Sequence, residues 1–325
     1  MIQSFTVTNP NGKSMVCDLA NPWKEGLAVA SIDGLGPGQA TINVADISSM
    51  DGGLFNSARK GTRNIVFNLI FVDNDTLTIE DIRRKCYAYF PLKKQVKLKF
   101  TTINGTNLKD YYIDGYVESN EPVIFSSQEG STVSIICDNP YFYKQGQQEQ
   151  IFNAYANPEF TFAFSKDPED SYDASHKLLM GDVVNFIVAT LSYEGDADTG
   201  MVFDITFKSN VNTEYEESQY IRISNSLTNT SNRISLDKID SLMRNYDDEF
   251  DGIKTGDRLS FSTIRGKKYL TFIRNGTEYN VLNAIDSSSE WVYISSGQNT
   301  LRIDKTDPSL ELSANSKNKI YFYGV

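Results

Sequence analysis

The sequence is poor in the residues from which most catalytic centres are built. It holds one histidine, His176, and three cysteines, Cys17, Cys86 and Cys137, in 325 residues. His176 stands beside an acidic polar run with no Cys or Ser motif near it, so a hydrolase built on a nucleophile–histidine triad is the weakest of the readings. Three single, widely spaced cysteines, odd in number, suggest neither a disulfide framework nor a zinc pattern, and are read as small buried apolar side chains. No run of about 18 apolar residues is present that could cross a bilayer as a helix. Met1-Ile-Gln-Ser-Phe5 lacks the basic-then-apolar order of a signal peptide, so synthesis and folding in a cytoplasm without membrane insertion are expected. A surplus of cations is also missing. The formal net charge is −11, with 14 Lys+Arg against 16 Asp+Glu in residues 1–150 and 17 against 26 in the remainder. Nucleic-acid binders need a basic face to displace counterions from phosphates, so nucleic acid is not an expected partner.

What is abundant points to β structure. Tyr and Phe number 18 and 19, and Thr, Ser, Asn, Ile and Val crowd the segments between Gly and Asn turns. The length fits two domains, each able to bury its own core. The boundary is placed at the Gln-rich segment Lys144–Gln150, giving domains 1–145 and 146–325. In the first, Asn9-Pro-Asn-Gly12 predicts a hairpin turn. Arg63-Asn-Ile-Val66 opens a strand with Ile65, Phe67, Leu69 and Phe71 on one face. One helix is predicted from Thr78 to Phe90, capped by Thr78 with Asp81, carrying Ile79, Ile82, Cys86, Tyr89 and Phe90 at helical spacing, and ended by Pro91. The expected architecture is a β-barrel or sandwich with one helix, then a β-sandwich with a short helix near Ser235–Arg244.

Few residues suggest ligand chemistry. Asp247-Asp-Glu-Phe-Asp-Gly252 offers oxygen ligands but lacks the alternating positions and distal Glu of a calcium loop, and is read as a solvated loop. Trp291 and Tyr293, with Tyr269, have the composition of a sugar-stacking platform. Aromatics alternating along sandwich strands more often form core. No cofactor, metal or catalytic residue is assigned.

The informative stretch runs from Ser31 to Tyr143. The glycines of Gly34-Leu-Gly-Pro-Gly38 lead into the β-branched run Ala40-Thr-Ile-Asn-Val44, not into a helix N-terminus, which excludes a phosphate loop. Asp46–Thr62 is polar and Gly-rich, with Phe55 set among Arg59-Lys60 and Arg63. It is read as a long projecting loop, and such loops are usually functional. One aromatic anchor with arginines is the composition of an interface hot spot, which nominates Asp51, Phe55, Asn56, Arg59 and Arg63 for contact between subunits. Together these features read as an assembly module.

The landmarks also resemble the distal tail protein family of tailed phages, in particular the siphophage tail component that forms a baseplate hub. The likeness is carried by Gly34-Leu-Gly-Pro-Gly-Gln-Ala-Thr-Ile-Asn43, Asp51-Gly52 with Phe55-Asn-Ser57, Arg63-Asn-Ile-Val66, Ile79-Glu-Asp-Ile-Arg83 and Tyr116-Val-Glu-Ser119. Pro140-Tyr-Phe-Tyr143 and, in the second half, Gly195-Asp196, Gly256-Asp257, Arg265-Gly266-Lys267 and Gly297-Gln-Asn299 continue it in order. The resemblance implies a homo-hexameric ring around the tail channel in the virion, with a galectin-like C-terminal β-sandwich projecting from each subunit. It further implies tail tube protein above, tail hub or tail-associated lysin below, and receptor-binding proteins mounted for host attachment. Between Val211 and Asp251 the sequence departs from simpler members through an acidic stretch and a short helix. A competing reading makes the C-terminal sandwich a carbohydrate-binding module that contacts the host envelope through Trp291 and Tyr293.

Overall fold

The computed structural model describes residues 1–48, 51–154, 160–163, 177–180, 185–212 and 218–325. They divide into two units, Met1–Gly146 with Tyr321–Val325, and Gln147–Ile320. The expected division put all of residues 146–325 in the second domain, yet the last five residues belong to the first unit.

The first unit contains β1 (Ile2–Thr8), β2 (Ser14–Asp18), β3 (Leu27–Asp33), β4 (Ala40–Asp46), β5 (Gly53–Lys60), β6 (Arg63–Phe71), α1 (Ile79–Tyr89), β7 (Gln95–Asn104), β8 (Asn107–Val123), β9 (Gly130–Cys137) and β10 (Phe142–Tyr143). The β1–β2 hairpin turns where the Asn9 carboxamide oxygen accepts from the backbone N–H groups of Asn11 and Lys13. The main sheet runs β2-β1-β7-β8-β9-β6-β3. Because β2 and β3 are its unpaired ends, the sheet is open, which corrects the barrel alternative. Strand β8 is long because it stays paired to β9 as far as Val123 through a bulge at Glu118.

The Thr78 and Asp81 side chains close a capping box at the start of α1. Its apolar stripe buries Ile82 and Cys86, and Phe90 follows at the C-cap; all three join a core built around Phe5, Phe67 and Phe100. Phe5 and Phe67 lie 5.0 Å apart and Phe67 stacks on Phe100 at 6.2 Å, and each such buried ring contributes about 1.5–3 kcal/mol. The basic face of α1 is paired within the unit, Arg83 and Arg84 to Glu80 and Lys85 to Glu25.

All three cysteines are buried and unpaired. Burial pushes each thiol up to about 12, so at pH 8 almost no thiolate forms in the native state, whereas the unfolded chain's thiols titrate near their ordinary value. Alkylation at pH 8 is therefore expected to leave the native protein unmodified and to add three labels once urea has unfolded it, read by intact mass. Early labelling of any cysteine would show that the first core opens.

The second unit contains β11 (Gln148–Ala154), β12 (Phe160–Ala163), β13 (Lys177–Met180), β14 (Phe186–Tyr193), β15 (Val202–Phe207), β16 (Tyr220–Asn225), β17 (Thr230–Ser235), α2 (Leu236–Tyr246), β18 (Arg258–Ser262), β19 (Tyr269–Arg274), β20 (Thr277–Asn280), β21 (Gly297–Lys305) and β22 (Leu312–Asn318). Strand β11 joins two four- and five-stranded arrays, β17-β16-β21-β14 and β22-β15-β18-β19-β20. Alternate residues of both, among them Ile221, Ile223 and Leu301 from one and Phe203, Phe261 and Phe272 from the other, share one core. That is the sandwich expected from the sequence. The Ser235 hydroxyl caps α2, which buries Leu236, Ile239 and Met243. The final strand, β23 (Tyr321–Phe322), pairs with β10 in the first unit.

A candidate assembly surface

The segment read as a long loop is mostly strand. Among the described residues β4 and β5 form a two-stranded hairpin that pairs with no other strand, and nearly all of its residues are exposed. Phe55, Ile42, Leu54 and Val44 are 62%, 61%, 58% and 54% exposed, which makes the hairpin a candidate interaction surface.

The register organises these residues. Ile42 is opposite Ala58 and Val44 is opposite Phe55, with Asn56 the extra residue of a bulge between them. Without the bulge, Phe55 and Ala58, three positions apart, would point to opposite faces. With it, Ile42, Val44, Phe55 and Ala58 share one apolar face. The other face carries the pairs Thr41 with Arg59 and Asn43 with Ser57, the latter joined by a 2.9 Å side-chain hydrogen bond. Asn56 thus acts first through the backbone, by setting the phase of Phe55.

The foot of the hairpin is held from below. Arg63 opens β6 but is only 5% exposed, because it falls in phase with Ile65, Phe67, Leu69 and Phe71, all buried. Its Nε donates to the Pro140 carbonyl at 2.7 Å, Nη1 to the carbonyls of Gly34 and of Gly36, the latter at 2.6 Å, and Nη2 to the Tyr323 carbonyl. The guanidinium also lies 4.7 Å from the centre of the Phe142 ring. Burial pulls its pKa below the ordinary arginine value. Gly34 has φ of +87°, and a Cβ there would meet the Asn64 carbonyl oxygen at 2.0 Å, so only glycine lets the turn close on Arg63. Lys60, at the end of β5, lies 5.0 Å over Tyr323 and 5.5 Å over Tyr141.

Of the residues nominated for the interface, Asp51, Phe55, Asn56 and Arg59 lie exposed on the hairpin and its tip. Arg63 does not join them. Its donors are spent on carbonyls of its own unit, and it serves as the post on which the hairpin stands, a correction to its reading as a contact residue. The sequence reading missed Ile42 and Val44, which complete the apolar face; their i, i+2 spacing was the available signal.

Trp291 is partly buried against the second core, stacked on Phe261 at 5.8 Å with the Lys268 ammonium 4.2 Å from its ring centre. A sugar stacking there has to displace Lys268. Tyr293 is 36% exposed, and its carbonyl accepts from Asn225. In the acidic run, Asp247 accepts from the Glu249 N–H, Phe250 is buried, and Asp251 pairs with Lys254 and Arg274. His176 lies outside the described residues, as do residues 213–217 of the acidic stretch.

No protein-family model and no curated protein matches the sequence significantly. Solved structures do. SPP1 Dit (gp 19.1), described as a paradigm of the hub adsorption apparatus in phages infecting Gram-positive bacteria, superposes with a TM-score of 0.52 at 14% identity over 97% of this chain and 99% of its own. The chain has the fold of a phage Dit hub protein. At that identity the likeness concerns architecture. Subunits of the phage P2 baseplate in its activated conformation, with calcium and with strontium, follow at TM-scores of 0.40 and 0.38, 12% identity each, over 98% and 97% of this chain. Both fall below the similarity from which a shared fold is read, so the Dit fold rests on SPP1 Dit. The agreement spans both units, as the order of landmarks along the chain implied.

Proposed function

We propose that this chain is a structural subunit of a phage tail tip, in which six copies close a ring around the tail channel of a siphophage virion. The ring joins the last layer of the tail tube to the tail hub or lysin, and its galectin-like second unit offers a mount for host-attachment proteins. In this reading the protein works by burying surfaces, without turnover. The observation that carries it is the pairing of a whole-length Dit fold with a free-standing hairpin whose apolar face is exposed and pairs with no further strand among the described residues. A hairpin that seats on a different patch of the next copy makes a heterologous contact, and such contacts close into rings when the rotation permits.

Light scattering on the purified chain, alone and with the tail proteins encoded beside it, is expected to give a mass of six subunits. Negative-stain images are expected to show a sixfold annulus with a central hole. A monomer under all of these conditions would overturn the proposal.

A further inference from the structure

The outer face of the β17-β16-β21-β14 array carries an arrangement that assembly does not explain. It forms a groove of about 640 Å³ lined by Arg222, Arg302, Asp304, Ser224, Ser231 and Asn229, among others, a volume typical of ligand sites. Arg222 on β16 is directly opposite Arg233 on β17. On its other side it is opposite Asp304 of β21, while Ser224 is opposite Arg302. Three arginines therefore crowd one short face in a half of the chain with 17 basic against 26 acidic residues.

Like charges opposite one another on a sheet are destabilising. Here the cost is poorly offset. Asp304 is taken by Arg302, with Arg302 Nη2 2.5 Å from Oδ1, and among the described residues Arg222 and Arg233 have no carboxylate at ion-pair distance. Arg233 helps to hold the Asp286 carboxyl below its ordinary range, after the larger effect of Ser288, whose N–H and hydroxyl donate to Asp286 Oδ1. Lys305 is not available to a ligand, since its ammonium donates to the carbonyls of Pro308 and Leu310.

Two of the guanidiniums are stacked on aromatic rings, while Arg222 lies 5.8 Å from the centre of the Tyr220 ring. Arg233 lies 3.9 Å from the Tyr220 ring centre and Arg302 3.9 Å from that of Phe186. Stacking engages the planar faces and leaves N–H groups to donate to phosphate or carboxylate oxygens; Arg302 spends Nε and Nη2 on Asp304 Oδ1 and keeps Nη1 for an anion. A local conflict among residues so well positioned is a mark of function.

We propose that this groove binds an anionic saccharide, a sugar chain bearing phosphodiester or carboxylate groups, with Arg222 and Arg302 gripping the anion, Arg233 flanking it, and Ser224, Ser231 and Asn229 meeting hydroxyls. The lining is hydroxyl- and amide-rich and short of the aliphatic surface that protein interfaces place at their centre. Its cationic patch is also too short for the stripe that nucleic acid demands.

The test is titration calorimetry on the full-length chain with phosphomannan, whose sugars carry phosphodiesters, polygalacturonate, neutral dextran and a poly-glutamate peptide, at about 10 mM and about 1 M salt. At least one anionic polysaccharide is expected to bind at low salt and weaken sharply at high salt, and the preferred polymer identifies the anion as phosphate or carboxylate. Arg222→Ser and Arg302→Ser, both at exposed positions, are each expected to weaken that binding by about tenfold or more with the melting temperature unchanged. Asp304→Asn, which frees Arg302, is expected to tighten it. The proposal is overturned if neither anionic polymer binds at low salt, if dextran binds equally well, if poly-glutamate outcompetes both polymers, or if Arg222→Ser binds as the parent does.

Discussion

Replacing Arg63 by alanine is expected to cost the first unit about 3–5 kcal/mol, the largest loss of any single substitution on this surface. The substitution removes a guanidinium that donates to carbonyls of Gly34, Gly36, Pro140 and Tyr323, segments far apart in sequence that are otherwise joined by the two-residue β10–β23 ladder and a backbone bond from Val325 to Leu35. Each carbonyl left without a donor in the interior carries a desolvation penalty of about 1–3 kcal/mol. Water entering the vacated space recovers part of it, which keeps the total below the sum. Arg63→Lys is expected to rescue little, because an ammonium is a point charge and cannot span a fork of acceptors. Arg59→Ala, four residues away but exposed on the hairpin, is the control and is expected to change stability by no more than about 0.5 kcal/mol. Thermal unfolding checks all three, with a midpoint drop on the order of 10 °C for Arg63→Ala. Equal behaviour of Arg59→Ala and Arg63→Ala would remove Arg63 from its structural role.

The contrast between these two arginines shows what the sequence could and could not tell. Local rules held where structure is local. The Thr78–Asp81 capping box, the Asn9–Gly12 turn and the alternation of β6 are written in neighbouring residues, and the structure has all three. Alternation even contained the answer for Arg63, which shares the parity of Ile65 and Phe67. Its charge suggested the surface, and burial by carbonyl donors rather than by a counter-ion leaves no pattern in sequence. Strand β5 was hidden for a different reason. It is exposed on both faces and its alternation is broken by the bulge, and Gly52, Gly53 and Asn56 suggested a loop where they form a turn and a bulge. The openness of the main sheet and the return of β23 to β10 depend on pairings across the chain, on which short-range patterns are silent.

Phe55→Asp is expected to abolish assembly while leaving the subunit folded. In the isolated subunit Phe55 is 62% exposed and packs into no core, so a carboxylate there is solvated and the melting temperature should stay within about 0.5 kcal/mol equivalent of the parent. In the proposed ring the same position sits at the middle of the apolar face with Ile42, Val44 and Ala58. A carboxylate buried there among apolar side chains costs several kcal/mol per contact, and a closed ring of six repeats that cost at every interface. Light scattering should then show monomers at concentrations where the parent is a ring. Thr41→Asp places the same charge on the opposite, polar face beside Arg59 and is expected to leave the ring intact. If instead Thr41→Asp dissociates the ring and Phe55→Asp does not, the hairpin meets its neighbour through Arg59 and the Asn43–Ser57 pair, and its apolar face is left for a different tail protein. Deleting Asn56 separates the bulge from the apolar face. It leaves Phe55 two positions from Ala58, so the pairs Val44–Phe55 and Ile42–Ala58 persist in a regular ladder and the shared face is kept; a ring that depends on that face should survive, and its loss would show that the neighbour grips the bulge itself.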